Sequence, residues 1–114
     1  MEKRRKRISA DEAISGTYVR IWRIVSMIPR GKVASYGTVA RVSGFPYQPR
    51  MAGYALHHLP PGSDIPWHRV INAQGKVSLP GASGDEQRRL LEREGIVFIR
   101  GKIDMKKFGW KRRL

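Results

Sequence analysis

The chain has no cysteine among its 114 residues. That excludes disulfides, thiolate metal sites and thiol-based catalysis at once. Its three histidines, two of them adjacent as His57 and His58, are too few and too badly spaced for a structural zinc site. No apolar run is long enough to span a membrane. The basic N-terminus also lacks the apolar stretch of a signal peptide. These lacks predict a soluble cytoplasmic protein, nucleoid-associated in a bacterium or nuclear in a eukaryote, with no metal and no cofactor.

Acidic residues are scarce too: nine Asp and Glu stand against 23 Lys and Arg, for a net charge of +14. Part of the excess sits at the ends, in Lys3-Arg4-Arg5-Lys6-Arg7 and Lys111-Arg112-Arg113. Setting aside those eight cations and Glu2 leaves +7 on the body. A basic body with basic ends predicts a polyanion as partner. The length suits one domain, and no feature of the sequence signals a dimer, so a monomer is expected.

Along the chain, residues 1–8 read as a disordered basic arm, 9–100 as the domain, and 101–114 as a basic C-terminal extension. Ser9-Ala10-Asp11-Glu12 has the form of a capping box. Tyr18, Ile21, Trp22, Val25 and Ile28 recur with helical period, which places Trp22 in the core. Gly16 is expected to delay the main helix to about Thr17, and Pro29-Arg30-Gly31 to end it. A short helix follows over Thr38–Val42, then another from Pro49 to Leu59. Two short helices joined by a Gly/Pro turn predict a helix-turn-helix. Ile65–Ile71 reads as extended, Asn72–Gly75 as a turn, and Lys76–Leu79 as the returning strand of a hairpin wing. Ser83-Gly84-Asp85-Glu86 reads as a second capping box, opening a helix that Gly95 closes. Ile96–Ile99 is a last strand.

Three stretches stand out together: Ile28 to Ala40 (IPRGKVASYGTVA), Pro49 to Leu56 (PRMAGYAL) and Ile65 to Ile71 (IPWHRVI). In this order and spacing they resemble the DNA-binding domain of O6-alkylguanine-DNA alkyltransferases. The resemblance covers roughly residues 17 to 95. It implies a mainly α fold with a small β-hairpin, a winged helix-turn-helix. The family motif is Pro-Cys-His-Arg, and its cysteine removes the alkyl group. Here that position holds Trp67, whose indole is no such nucleophile. The departure resembles the alkyltransferase-like proteins, a non-enzymatic branch that flips the damaged nucleotide and passes the site to nucleotide excision repair.

The resemblance also implies residue roles. Tyr36 corresponds to the tyrosine that helps rotate the target phosphate, and Arg50 to the arginine finger that fills the vacated stack. Trp67 stands in the lesion pocket, and His68 and Glu94 match the two relay residues of the enzymes. Thr38, Ala52 and Gly53 are expected at the DNA, Gly53 where helix and DNA approach closely. Arg69 is placed with them, although its family role is more structural. Two positions depart. The hinge asparagine of the enzymes is Leu59, and the loop that supplies their pocket tyrosine holds Leu79 and Pro80, which predicts an apolar pocket wall. The expected partners are duplex DNA containing O6-alkylguanine and nucleotide excision repair proteins.

The residues support that reading without the family. Arginine is planar, cationic and long, suited to replacing lost stacking. A wide aromatic face at Trp67 suits packing on a base or an alkyl group. His57 and His58 are expected on the surface of the recognition helix. The rival reading is a sequence-specific winged-helix transcription factor. It needs base-reading side chains, whereas the helix offers Met51, Ala52, Gly53, Tyr54 and Ala55. A hydrolase built on His68 and Glu94 finds no serine, threonine or metal constellation.

Overall fold

A computed structural model describes residues 10–112, with only the backbone course of 10–15. The basic arm over 1–8, the Ser9-Glu12 capping box and Arg113 therefore lie outside the described residues and side chains. Helix α1 (Ala10–Ser26) is followed by β1 (Ala34–Ser35), α2 (Tyr36–Val42) and α3 (Pro49–His57). A 3-10 turn (Trp67–Arg69) leads into β2 (Val70–Ile71) and then α4 (Gly81–Arg93). The chain continues through β3 (Phe98–Ile99), β4 (Lys102–Ile103) and the short helix α5 (Met105–Phe108). The fold is mainly helical, with two two-stranded sheets. No helix of the described residues is long and apolar enough to cross a membrane.

The period read in α1 is the one that packs. Ile21, Ile24, Val25 and Ile28 form a core with Val39 and Ala40 of α2, Ala52 and Ala55 of α3, and Val70. The two alanines of α3 are fully buried. Small residues there let that helix sit close, and the Trp22 indole N–H donates to the Ala55 carbonyl at 2.7 Å. The turn between α2 and α3 is held from α1: Arg20 donates to the Ser43 carbonyl at 2.9 Å and its guanidinium lies over the Phe45 ring. Gly16 does not delay α1, which runs from Ala10 straight through it. A mid-helix glycine costs only about 1 kcal/mol.

The second core gathers Val33, Ile71, Leu91, Ile96 and Ile103. Here the wing expectation needs correction. Asn72–Gly75 does turn, with the Gly75 amide bonding Asn72 O at 3.0 Å and the Asn72 amide bonding Lys76 O at 3.1 Å. Lys76–Leu79, however, forms no strand. Instead β2 pairs in parallel with β1, Ala34 against Val70 and Ser35 against Ile71, and the Val70 carbonyl accepts from the buried Gln87 side chain. The Gly75 carbonyl instead accepts from the Ile103 amide at 2.8 Å.

The antiparallel hairpin of the fold lies further on, between β3 and β4. Arg100 and Gly101 join them with positive φ at both positions, the backbone of a tight two-residue hairpin turn. Ile65–Ile71 is likewise mostly not extended, since its middle coils into the 3-10 turn. The second capping box does not cap. Helix α4 starts at Gly81 after Pro80, and Ser83 to Glu86 lie inside it. Helix α3 closes at His57, two residues before Leu59.

Residues 102–110, within the stretch read as a basic extension, contribute to the body. Ile103 is buried and Met105 and Phe108 pack against the second core. Gly109 bridges Val33 in parallel, while Trp110 packs on the first core.

Candidate nucleic-acid interface

Helix α3 starts with Pro49, whose fixed φ and missing N–H suit a first helical turn. Arg50 follows, exposed, with no bond to the described residues holding its guanidinium. Positions 50, 53, 54 and 57 share one face by helical spacing. They line a groove of about 560 Å³ together with Tyr36 and Pro49. A Cβ on Gly53 would meet nothing within 4 Å. Its absence is thus not required by packing inside the protein; it leaves the groove open.

Tyr36 begins α2. Its position is set by the Ser35 cap, whose hydroxyl accepts from the Thr38 amide and donates to the Thr38 hydroxyl, both at 3.1 Å. Past Tyr36 and Gly53 the groove narrows into a cleft of about 180 Å³, also lined by Leu56, His57, Trp67 and Leu79. The cleft widens again to about 510 Å³ between Trp67, Leu59, Leu79 and Pro80. One continuous trough therefore runs from Arg50 past Tyr36 to Trp67 and Pro80.

Behind this wall lies a polar cluster. The Glu94 side chain is 4% exposed. It accepts from His68 Nε2 at 2.7 Å, from the Gly31 amide at 2.8 Å, and from Nε and Nη2 of Arg69 at 2.8–3.1 Å. Burial alone would raise the Glu94 carboxyl. The hydrogen bonds from Arg69, Gly31 and His68, with the Arg69 charge, overcome that and hold it at about 2. Arg69 also donates from Nη1 to the Ile28 carbonyl at 2.8 Å. Its guanidinium is committed inward. Below the cluster, buried Gln87 of α4 donates to the His68 and Val70 carbonyls at 3.0 and 2.8 Å. The Trp67 ring stands edge-on to His68, with centroids 6.0 Å apart.

The structure thus brings Tyr36, Gly53, Trp67 and, at its rim, Arg50 and Pro80 to one trough. Thr38 lies two residues beyond Tyr36 in the first turn of α2 and lines none of these three pockets. His68 and Glu94 do not line the cleft, and Ala52 is fully buried in the core. Groove residues outside the expected site include Pro49 and Leu56, Tyr54, which is half exposed, and His57, which lines all three widths of the trough. For Tyr54 and His57, spacing from Arg50 on one helix was the available signal. His58 faces elsewhere, bonding Tyr54 O at 2.7 Å and stacking on Tyr18. Among the described residues no group of three or more His, Asp or Glu is placed to hold a metal.

Residues 17–96 match the family described as 6-O-methylguanine DNA methyltransferase, DNA binding domain. The chain is 48% identical over 94 residues to a DNA base-flipping protein of Vibrio parahaemolyticus, spanning 82% of this chain and 94% of that protein. It is 39% identical over 101 residues to Alkyltransferase-like protein 1 of Schizosaccharomyces pombe, with coverage of 82% and 94%. Its fold matches the structure of S. pombe Atl1 in complex with damaged DNA containing O6-carboxymethylguanine, with TM-score 0.77 and 35% identity. That match covers 86% of this chain and 97% of that one. It also matches Mycobacterium tuberculosis OGT in complex with DNA, with TM-score 0.62 and 39% identity, over 68% of this chain and 48% of that one. The winged-helix-like fold expected from the three motifs is the fold these proteins share. The chain belongs to the 6-O-methylguanine DNA methyltransferase DNA-binding-domain family and, within it, to the alkyltransferase-like, base-flipping branch.

Proposed function

We propose that the protein recognises O6-alkylguanine in duplex DNA, flips it, and does not repair it. The observation that carries this reading is the continuous trough from exposed Arg50, past Tyr36, to an indole where the resemblance expects a thiol. Extruding a base costs on the order of a few kcal/mol. Arg50 enters the gap and replaces the lost stacking. Tyr36 and Thr38, at the start of α2, turn the phosphate of the flipped nucleotide, and Gly53 lets the helix lie close to the minor groove. The base then meets the face of Trp67, with Leu79 and Pro80 as an apolar wall for the alkyl group. Relatives support the reading by their names and complexes: one is a DNA base-flipping protein, and another was solved on O6-carboxymethylguanine DNA.

Alkyl transfer needs a nucleophile to attack the alkyl carbon. The chain has no cysteine, and the Trp67 indole offers no thiolate-like lone pair. His68 and Glu94, bonded to each other, hold the chain in place behind Trp67 with Arg69. The flipped and unrepaired site is then a signal for nucleotide excision repair. A sequence-specific regulator is the weaker reading, because Gly53 stands on the groove face of α3 and offers no side chain to base edges.

The test compares matched duplexes with and without one O6-methylguanine at fixed salt. Tighter binding to the lesion is expected, with no label passing from radiolabelled methyl groups to the chain. Stoichiometric label on the protein refutes the non-enzymatic reading, and equal binding refutes lesion recognition. The hand-off is tested by adding the protein to a purified excision nuclease, where faster incision at the lesion is the expected result.

A further inference from the structure

The last described residues follow an ordered path along the segment that leads into β1. The Val33 amide donates to the Phe108 carbonyl at 2.9 Å, and the Trp110 amide donates to the Val33 carbonyl at 2.7 Å. Gly109 thereby bridges Val33 in parallel. Lys32 Nζ adds a bond to the Lys107 carbonyl at 2.9 Å. Trp110 and Tyr36 pack on the same core cluster. Chains paired in parallel advance in the same direction. The residues after Trp110 therefore travel the way β1 travels, toward Ser35 and Tyr36, where α2 begins. Those residues are Lys111 and Arg112, both exposed and without a partner among the described residues.

We propose that Lys111 and Arg112 form a second phosphate-binding site on the Tyr36 flank of the trough, gripping the DNA backbone next to the flipped nucleotide. The inference rests on the DNA-binding reading above. A loose basic tail would add affinity at any phosphate. This tail is anchored through Phe108, Gly109 and Trp110, so its cations reach only phosphates on one flank. They add affinity and fix register while reading no base.

The test uses the full chain with Lys111→Ala/Arg112→Ala, on duplexes with and without one O6-methylguanine, over a salt series. Each neutralised phosphate contributes about 0.9 to the slope of log affinity against log salt. The double variant should therefore lose about 1.8 of slope, equally on damaged and plain DNA. Lys111→Arg/Arg112→Lys should restore it, and thermal unfolding should show both variants folded. Single neutral methylphosphonates, walked along each strand, give the position. One or two of them on one flank of the lesion should weaken the parent but not the double variant. An unchanged slope refutes the site, as does a response to methylphosphonates that is the same in both proteins at every position. If the parent shows no lesion preference, the damage-recognition reading fails, while the slopes on plain duplex still decide the tail.

Discussion

Replacing Glu94 with Gln removes one negative charge from a place where a partly buried guanidinium, an imidazole and a backbone amide all point at it. A carboxyl that titrates at 4.5 when free and at about 2 when folded contributes about 3 kcal/mol at neutral pH, since each pH unit is worth about 1.4 kcal/mol. The folded carboxyl is the stronger acid. Its contribution is therefore complete above about pH 5 and drains away as pH falls from 4.5 toward 2. The variant leaves Arg69, 16% exposed, without its counter-charge. Breaking a buried pair in that way typically costs about 3–5 kcal/mol. Urea unfolding of parent and Glu94→Gln at about pH 7, 5 and 3 measures this. The variant should be less stable by about 3 kcal/mol at pH 7, and the gap should narrow between pH 4.5 and 2 as the parent's own carboxylate is protonated. A gap under about 1 kcal/mol at neutral pH, or one that stays constant from there down to about pH 3, refutes the reasoning.

Three further outcomes follow from the trough. Arg50→Ala should abolish the fluorescence change of a 2-aminopurine placed at the target while leaving salt-sensitive binding in place; normal flipping by the variant would remove Arg50 from its role. Trp67→Ala should keep flipping but narrow the affinity gap between alkylated and plain guanine by about 1–3 kcal/mol, most for bulky alkyl groups, as measured by competition binding. Gly84→Ala should destabilise by about 1–3 kcal/mol, against the usual helix gain of up to about 1 kcal/mol. Its Cβ would strike the Leu79 backbone carbonyl; a raised melting temperature with unchanged lesion preference would show that the pocket loop yields freely.

Much of the candidate trough was legible because it sits on strong local signals. The period of α1, the Pro49 start of α3 and the three spaced motifs placed Tyr36, Arg50 and Trp67 at their elements. What failed depended on competition between distant segments. Val70 and Ile71 are apolar enough to pair with either Lys76–Leu79 or β1, and only the folded chain decides that β1 takes them. The C-terminal residues looked like a basic appendage because Lys106, Lys107, Lys111 and Arg112 dominate their composition. Ile103, Phe108 and Trp110, spaced between the cations, do the packing. The side-chain directions of Ala52 and Arg69 were also missed. Helical spacing puts 52 and 55 opposite the face carrying 50, 53, 54 and 57, so Ala52 was recoverable from the same period. Arg69 was not, because nothing near it in the chain announces Glu94.

The Glu94 cluster also bears on what a His-Arg-Glu constellation does beside the Trp67 indole. Its bonds join four parts of the chain: the Ile28 carbonyl after α1, the Gly31 amide of the following turn, the 3-10 turn at His68 and Arg69, and the end of α4. Those parts contribute to both hydrophobic clusters, since Ile28 lies in the first and Leu91 in the second. Gln87 adds a fifth tie, from α4 to the His68 and Val70 carbonyls. Such a hub fixes the backbone of the turn whose first residue is Trp67, and so fixes where the indole stands against Tyr36 and Leu56. A removed charge at Glu94 should then be felt twice, as lost stability and as a blurred pocket. Geometry is therefore enough to explain the cluster: His68, Arg69 and Glu94 together hold the turn that carries Trp67.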